Sequence, residues 1–354
     1  VSMKIKESGL LKKGLTSILA ATFIAVAATV PSSALWKNYR PYGGFDGGWK
    51  RFYGVNRIKT SEYTANSLNP HKNASDVYQL TEDKAVPTVL INQNSFQDGL
   101  SAYNLCRAFN ARLLLTKADY ANIGLIKNYY KSKTIYILGS EKEIYASTEK
   151  YIKKYIPKAK VIRIGNASAY DRNLATIKMA GFTNLAVADG RKFPDALTAS
   201  GLCHNKNLGL MLVDGSKSYK LPAGTSVTYT IGGSDSVAQE GGTRIAGVDR
   251  YETAKEVARV AEGYYNILFV DGRKFPDSIS AINLVKPRNC IVMPISDTRD
   301  NSDMKEFLSL LPESLDEPGQ WDIEKSGYAI VIGGHNSLKD ETIIKMLYPS
   351  KGLS

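Results

Sequence analysis

Short apolar runs alternate along this chain with segments whose apolar residues recur at three- and four-residue spacing, the pattern of buried strands separated by amphipathic helices. Val89-Leu90-Ile91, Leu185 to Ala188 and Ile267 to Val270 are strand-like, and each leads within a few residues into a small-residue helical pattern. Those patterns open at Asp98-Gly99-Leu100-Ser101-Ala102, Asp195-Ala196-Leu197-Thr198-Ala199 and Asp277-Ser278-Ile279-Ser280-Ala281. Further apolar strands follow at Leu113-Leu114-Leu115, Leu210-Met211-Leu212 and Val292-Met293-Pro294, and a last strand in each series ends in glycine at Gly139, Gly232-Gly233 or Gly333-Gly334. A helix also precedes each series, clearest where Ala254, Val257, Ala258 and Ala261 fall at helical spacing. Short strands regularly separated by helices predict an α/β fold with mainly parallel sheets.

The three series are copies of one repeat. Asp189-Gly190-Arg191-Lys192-Phe193-Pro194-Asp195 recurs unchanged as Asp271 to Asp277, and a weaker copy ends at Phe96-Gln97-Asp98. Upstream of each copy, Arg244-Ile245-Ala246-Gly247-Val248-Asp249-Arg250-Tyr251 is matched by Arg51 to Ile58 and, more worn, by Arg163-Ile164-Gly165 with Tyr170. In that worn copy Ala169 stands where the others have Arg57 and Arg250. The third copy is longer, with an insertion expected around Pro312 to Gly327.

Two features bear on where the chain works. A basic stretch ending at Lys13, the uncharged apolar run Leu15 to Val30 and the small residues Pro31-Ser32-Ser33-Ala34 have the layout of a secretory signal peptide, with an uncleaved membrane anchor as the alternative. The formal net charge of +12 favours polyanions: nucleic acid, anionic membrane or a phosphate-bearing polymer. The three cysteines, Cys106, Cys203 and Cys290, form no C-x-x-C pair, and an odd number does not suit a disulfide framework. Cys106 and Cys203 occupy equivalent places where the third copy has Val285, so buried, unpaired thiols are expected.

With Gly-Val-Asp-Arg-Tyr at 247–251, Phe-Pro-Asp-Ser at 275–278 and the Ile-Gly-Gly strand ends in register, the repeats resemble the type 2 cell-wall-binding repeat of clostridial and related Gram-positive surface proteins. That resemblance implies three Rossmann-like or Toprim-like units packed as a pseudo-threefold triangle that binds teichoic-acid-like anionic polysaccharide. The expected organisation is a signal peptide over 1–34, a Gly- and aromatic-rich linker over 35–50, and repeats over 51–158, 159–241 and 242–354. A secreted monomer at the cell surface follows, with anionic wall polysaccharide and other surface-layer proteins as partners. Neither nucleic acid nor, after signal cleavage, membrane is expected as a partner.

The candidate ligand-binding residues are Arg57, Arg250, Arg244, Asp98, Asp195, Asp277, Gly232, Gly233, Gly333 and Gly334. A guanidinium at Arg57 or Arg250, just before a helix, could fork onto a phosphate or sugar-acid oxygen. It could equally pair with a carboxylate such as the aspartate of the Phe-x-Asp element. Asp98, Asp195 and Asp277 suit helix capping or the first turn, and Phe96, Phe193 and Phe275 suit core anchoring. The double glycines could cradle phosphate or form tight strand-to-helix turns, since neither continues into a dinucleotide fingerprint or a P-loop.

Catalysis has little support. Asp189 with Asp195, and Asp271 with Asp277, could form acid/base pairs, but the first copy has Asn92 in place of the earlier aspartate and no nucleophile is evident. His71, His204 and His335 are scattered without metal-site spacing, so neither metal nor cofactor is expected. The competing readings are a wall hydrolase with an unrecognised site and a nucleotide-binding or nucleic-acid enzyme of Toprim-like fold, the latter at odds with an exported N-terminus.

Overall fold

The computed structural model describes residues 49–69, 79–165, 168–215, 217, 219–238, 241–264, 266–309 and 329–347. The expected signal peptide, most of the linker, His71 and the expected insertion lie outside the described residues.

The described residues form three four-stranded parallel sheets. Strand β1 (Trp49–Phe52) comes first in the chain; β2 (Thr88–Asn92), β3 (Arg112–Thr116), β4 (Thr134–Leu138) and β5 (Lys160–Ile164) form one sheet in the order β3-β2-β4-β5. Strands β6 (Asn184–Asp189), β7 (Gly209–Val213), β8 (Ser226–Ile231) and β9 (Thr243–Ile245) repeat that order as β7-β6-β8-β9. The third sheet contains β10 (Asn266–Asp271), β11 (Cys290–Ile295) and β12 (Ala329–Ile332), and its fourth strand is β1, paired with β12 in register Trp49 to Ala329. Each sheet thus takes its outer strand from the start of the following repeat, and the first repeat supplies the third. The linker expected over 35–50 therefore stops short, because Trp49 and Lys50 are ladder residues that close the ring.

Among the described residues ten α-helices cover the sheets: α1 (Arg57–Asn66), α2 (Phe96–Phe109), α3 (Ala146–Tyr155), α4 (Ala169–Ala180), α5 (Phe193–Asn205), α6 (Arg250–Ala261), α7 (Phe275–Ser278), α8 (Ile282–Val285), α9 (Ser302–Ser309) and α10 (Asp340–Leu347). Helices α1, α4 and α6 begin behind equivalent capping residues. Asn56, Ser168 and Asp249 accept hydrogen bonds from the backbone N–H of Lys59, Asp171, and Tyr251 with Glu252, respectively, which satisfies donors the helix cannot.

Packing between units is cyclic. Helix α2 of the first unit lies on β7 of the second, α5 of the second on β11 of the third, and α8 of the third on β3 of the first. Although β3, β7 and β11 are edge strands, every residue in them is buried, so their open ladder groups need partners from those helices. Asn283 accepts from Leu113 N at 2.8 Å and donates to Leu113 O at 2.9 Å. Asn104 makes the same pair of bonds to Leu210 at 2.8 and 3.1 Å. The equivalent position in the second unit is Gly201, where a side chain would run into Ile291 and the Cys290 carbonyl, so that helix lies directly on β11.

A second set of pegs comes from the helix before each series. Ser61 and Asn173 accept from Leu115 N and Leu212 N at 3.0 and 2.9 Å. The third unit has Pro294 at that strand position, with no N–H to satisfy, and Ala254 at the helix position. Around the pseudo-threefold axis the phenylalanines meet, with Phe275 5.5 Å from Phe96 and 6.4 Å from Phe193 between ring centroids. Their place is in packing, within an apolar core that runs through all three units. Cys106, Cys203 and Cys290 are unpaired and buried in that core, and burial pushes the Cys106 thiol up to about 12.

Candidate functional site

In each sheet the chain leaves the central strand toward one neighbour and returns on its other side, so the carboxyl ends of β2 and β4, β6 and β8, and β10 and β12 flank a topological switch point. Parallel α/β sheets bind ligands in such crevices. The sequence-predicted residues gather here, at the junctions between units.

Much of their polarity is used internally. Arg244 donates to Gly232 O at 2.8 Å and Val237 O at 2.9 Å. Arg51 and Arg163 repeat that clamp on Gly333 O at 2.6 Å and Gly139 O at 2.9 Å. Gly139, Gly232 and Gly333 have φ of 146°, 107° and 113°, a backbone region that favours glycine. The N–H of Gly232 donates to Ile245 O and that of Gly333 to Phe52 O, while the carbonyls of Gly233 and Gly334 accept from the turns that follow. Gly139 and Gly333 open turns that lead to α3 and α10, Gly232 opens a turn before β9, and the N–H groups of Gly232 and Gly333 are already taken. These internal bonds use part of the polarity that a phosphate cradle at the glycines, or a ligand at Arg244, would draw on.

The aspartates do not cap their helices through side-chain bonds to backbone N–H. Ser95 and Lys192 occupy the cap positions of α2 and α5 without such bonds, and the aspartates stand in the first turn. Asp98, with no exposed surface, accepts from Arg172 Nε at 2.7 Å and Nη2 at 3.0 Å and from Ser95 Oγ at 2.7 Å. Arg172 also reaches Glu143 at 3.1 Å. Burial pushes the Asp98 carboxyl up, and the hydrogen-bonded Arg172 opposes that push. At the second junction burial likewise raises Asp195, where Arg250 opposes it as a charge at longer range. At the third, Asp277 accepts from Ser337 Oγ at 3.2 Å.

Arg250 donates to Gly272 O at 2.5 Å, and Arg57 to the equivalent carbonyl of Gln93 at 3.2 Å and to Asn94 Oδ1 at 3.1 Å. Among the described residues neither forms an ion pair with a carboxylate. The buried Asp189 and Asp271 are gripped by the exposed Arg191 and Arg273 at 2.8 to 3.2 Å. That grip removes them as free acid/base partners for Asp195 and Asp277. Beside these arginines Lys192 and Lys274 are exposed, so the loops after β6 and β10 form a cationic rim.

Sequence reasoning missed Arg172 and Glu143. Arg172 lies three residues after Ala169, one turn along the same face of α4, so the junction that lacks the repeat arginine has another one turn later. A basic residue at that spacing was the available signal.

Comparison with known proteins agrees with the repeat geometry. The sequence profile of "Cell wall binding domain 2 (CWB2)" matches residues 51–149, 163–240 and 244–343. The chain is 26% identical over 259 residues to "Amidase enhancer" and 25% identical over 233 residues to "N-acetylmuramoyl-L-alanine amidase LytC", both of Bacillus subtilis (strain 168). Those matches take in 69% and 61% of this chain but 34% and 46% of the relatives, so it spans less than half the length of either. Among solved structures, "Cwp6 from Clostridium difficile" superposes with a TM-score of 0.66 at 19% identity over 84% of this chain and 47% of that one. "Cwp8 from Clostridium difficile" gives 0.65 at 18% over 84% and 50%. With three matched segments in register with its three units, the chain belongs to the cell wall binding domain 2 family.

Proposed function

We propose that this protein attaches non-covalently to an anionic, teichoic-acid-like wall polysaccharide through the cationic rim at the carboxyl ends of its sheets. The observation that carries this reading is the gathering of Arg57, Arg250, Arg191, Arg273, Lys192 and Lys274 at that end of the sheets. A polymer phosphate or carboxylate would meet guanidinium donors beyond the single carbonyl that Arg250 holds, in a crevice flanked by helix starts. Secretion, with residues 1–34 removed, and contact with other surface-layer proteins belong to the same proposal, as does a monomeric state. Binding of purified protein to walls, before and after phosphate-linked polymer is stripped, tests it. Loss of binding on stripping is expected, and undiminished binding would sink the polymer assignment.

The names of the amidase relatives favour one second reading, a wall hydrolase. We place the protein among binders, because Asp189 and Asp271 are held in ion pairs. Release of soluble wall fragments by the purified chain would reverse that placement.

A further inference from the structure

The opposite end of the pseudo-threefold axis has a different chemistry. Arg107, His204 and Lys286 each stand eleven residues after Phe96, Phe193 and Phe275, at equivalent positions of the three repeats. Eleven residues at the helical rise carry the chain about 16 Å, from the phenylalanine cluster to the far pole.

These three side chains are neighbours across unit boundaries. Lys286 Nζ donates to Arg107 O at 3.0 Å, and Arg107 Nη2 to Asn207 Oδ1 at 3.1 Å. His204 is held down to about 4 by burial and by the charges of Arg107 and Lys286, the charged groups that act on it. Among the described residues none of the three has a carboxylate within ion-pair distance. Arg107 and Lys286 line a cleft with Asn110, Ala111, Asn283 and Pro287, and the Cys106 thiol in its wall also feels Arg112. Cations near helix C-termini suit the helix dipole, and the Lys286 bond to a terminal carbonyl is of that kind. The dipole does not account for Arg107 Nε and His204 Nδ1, both buried and, among the described residues, without a hydrogen-bond partner. Leaving such nitrogens unmatched is costly, and an oxyanion would satisfy Arg107 Nε, His204 in its Nδ1–H tautomer and the uncompensated charge.

We propose that this pole is a second anion site, distinct from the rim, that takes a phosphate-type oxyanion between Arg107, His204 and Lys286. It does not depend on the polymer reading, since the rim and the pole lie at opposite ends of the central helices. The oxyanion could be free phosphate or a phosphodiester, and two probes distinguish these sources.

The intact chain is titrated with inorganic phosphate and, separately, with dimethyl phosphate, with the His204 ring followed by NMR and thermal unfolding run alongside. Saturable binding on the order of 1 mM or tighter is expected. The His204 pKa should move up on saturation, because an added negative charge favours the imidazolium. Response to both probes assigns the site to phosphodiester as well as free phosphate, and response to inorganic phosphate alone assigns it to the free ion. Arg107→Gln/Lys286→Gln should weaken binding at least tenfold without lowering the unfolding midpoint in phosphate-free buffer, because it relieves like-charge repulsion. The single variant Lys286→Gln carries the same comparison should the double variant not fold. Absence of a saturable response to either probe, or wild-type affinity in a folded variant, overturns the proposal.

Discussion

At the junction between the first and second units a carboxylate with no exposed surface meets a guanidinium in two hydrogen bonds. At the junction between the second and third units the equivalent carboxylate has its arginine only as a longer-range charge, and that arginine holds a backbone carbonyl instead. The backbone frame is common to both: a Phe-x-Asp helix start, a glycine turn at positive φ and an arginine clamp on that glycine. What differs is one helical turn, with the arginine at position 172 in one helix and 250 in the other, where equivalence would place it at 169. Moving it by a turn converts a cation facing a crevice into a plug within it. Repeats that share a fold can therefore divide between sealing the ring and presenting charge.

The largest expected effect tests the plug. Arg172→Ala strands the buried Asp98 carboxylate and should cost about 3 to 5 kcal/mol of stability. Arg250→Ala removes a single partly exposed bond to a carbonyl and should cost about 1 kcal/mol. Urea unfolding of the two variants measures the contrast, and equal losses would break the distinction between sealed and open junctions.

Wall affinity should show the reverse order. Arg57→Ala/Arg250→Ala is expected to weaken binding to purified walls roughly ten- to a hundredfold, the equivalent of about 1.5 to 3 kcal/mol for a charge-assisted bond. The fold should survive. Unchanged affinity in the well-folded double variant would remove both residues from the ligand site.

The parts of this arrangement that could be read from sequence are those that recur. The heptad ending at Asp195 and Asp277 marked the end of each central strand, and the phenylalanines within it revealed a packing role by their presence in every copy. Contacts made once, between units, left no such trace: Arg172 replaces the residue equivalent to Thr60 and Thr253, and its partner Asp98 lies 74 positions away. Trp49 and Lys50 looked like linker because their strand partner, β12, is at the other end of the chain. Ala254 shows the same limit from the opposite side. Its peg is missing for a reason visible only when Pro294 is seen beside it, lacking the N–H that Ser61 and Asn173 satisfy in the other units.

The open junction should also leave a signature in pH dependence. Burial raises Asp195 above its unfolded value, so in the interval between the two pKa values the folded state binds more protons than the unfolded state. Its contribution to stability is present below the unfolded pKa and is lost as pH rises through the folded one. Asp195→Asn stays neutral throughout, and its unfolding midpoint should fall less than that of the wild type as pH rises from 4 to 7. Parallel curves for the two proteins would place the Asp195 charge at no cost to the fold.

The smallest effect is the most discriminating. Ala169→Arg restores the repeat arginine at the sealed junction, at the first position of α4. A cation there opposes the helix dipole by about 0.3 to 1 kcal/mol, so a slight loss of stability is expected. It would also stand one turn from Arg172, which already holds both Asp98 and Glu143. If sealing has removed this junction from polymer contact, wall affinity in Ala169→Arg should stay within about threefold of the wild type, less than a single charge-assisted bond would add. A tenfold gain would show instead that the first junction faces polymer and lacks only its cation. The three junctions would then be equal binding sites, and the pairing of Asp98 with Arg172 would be a matter of stability alone.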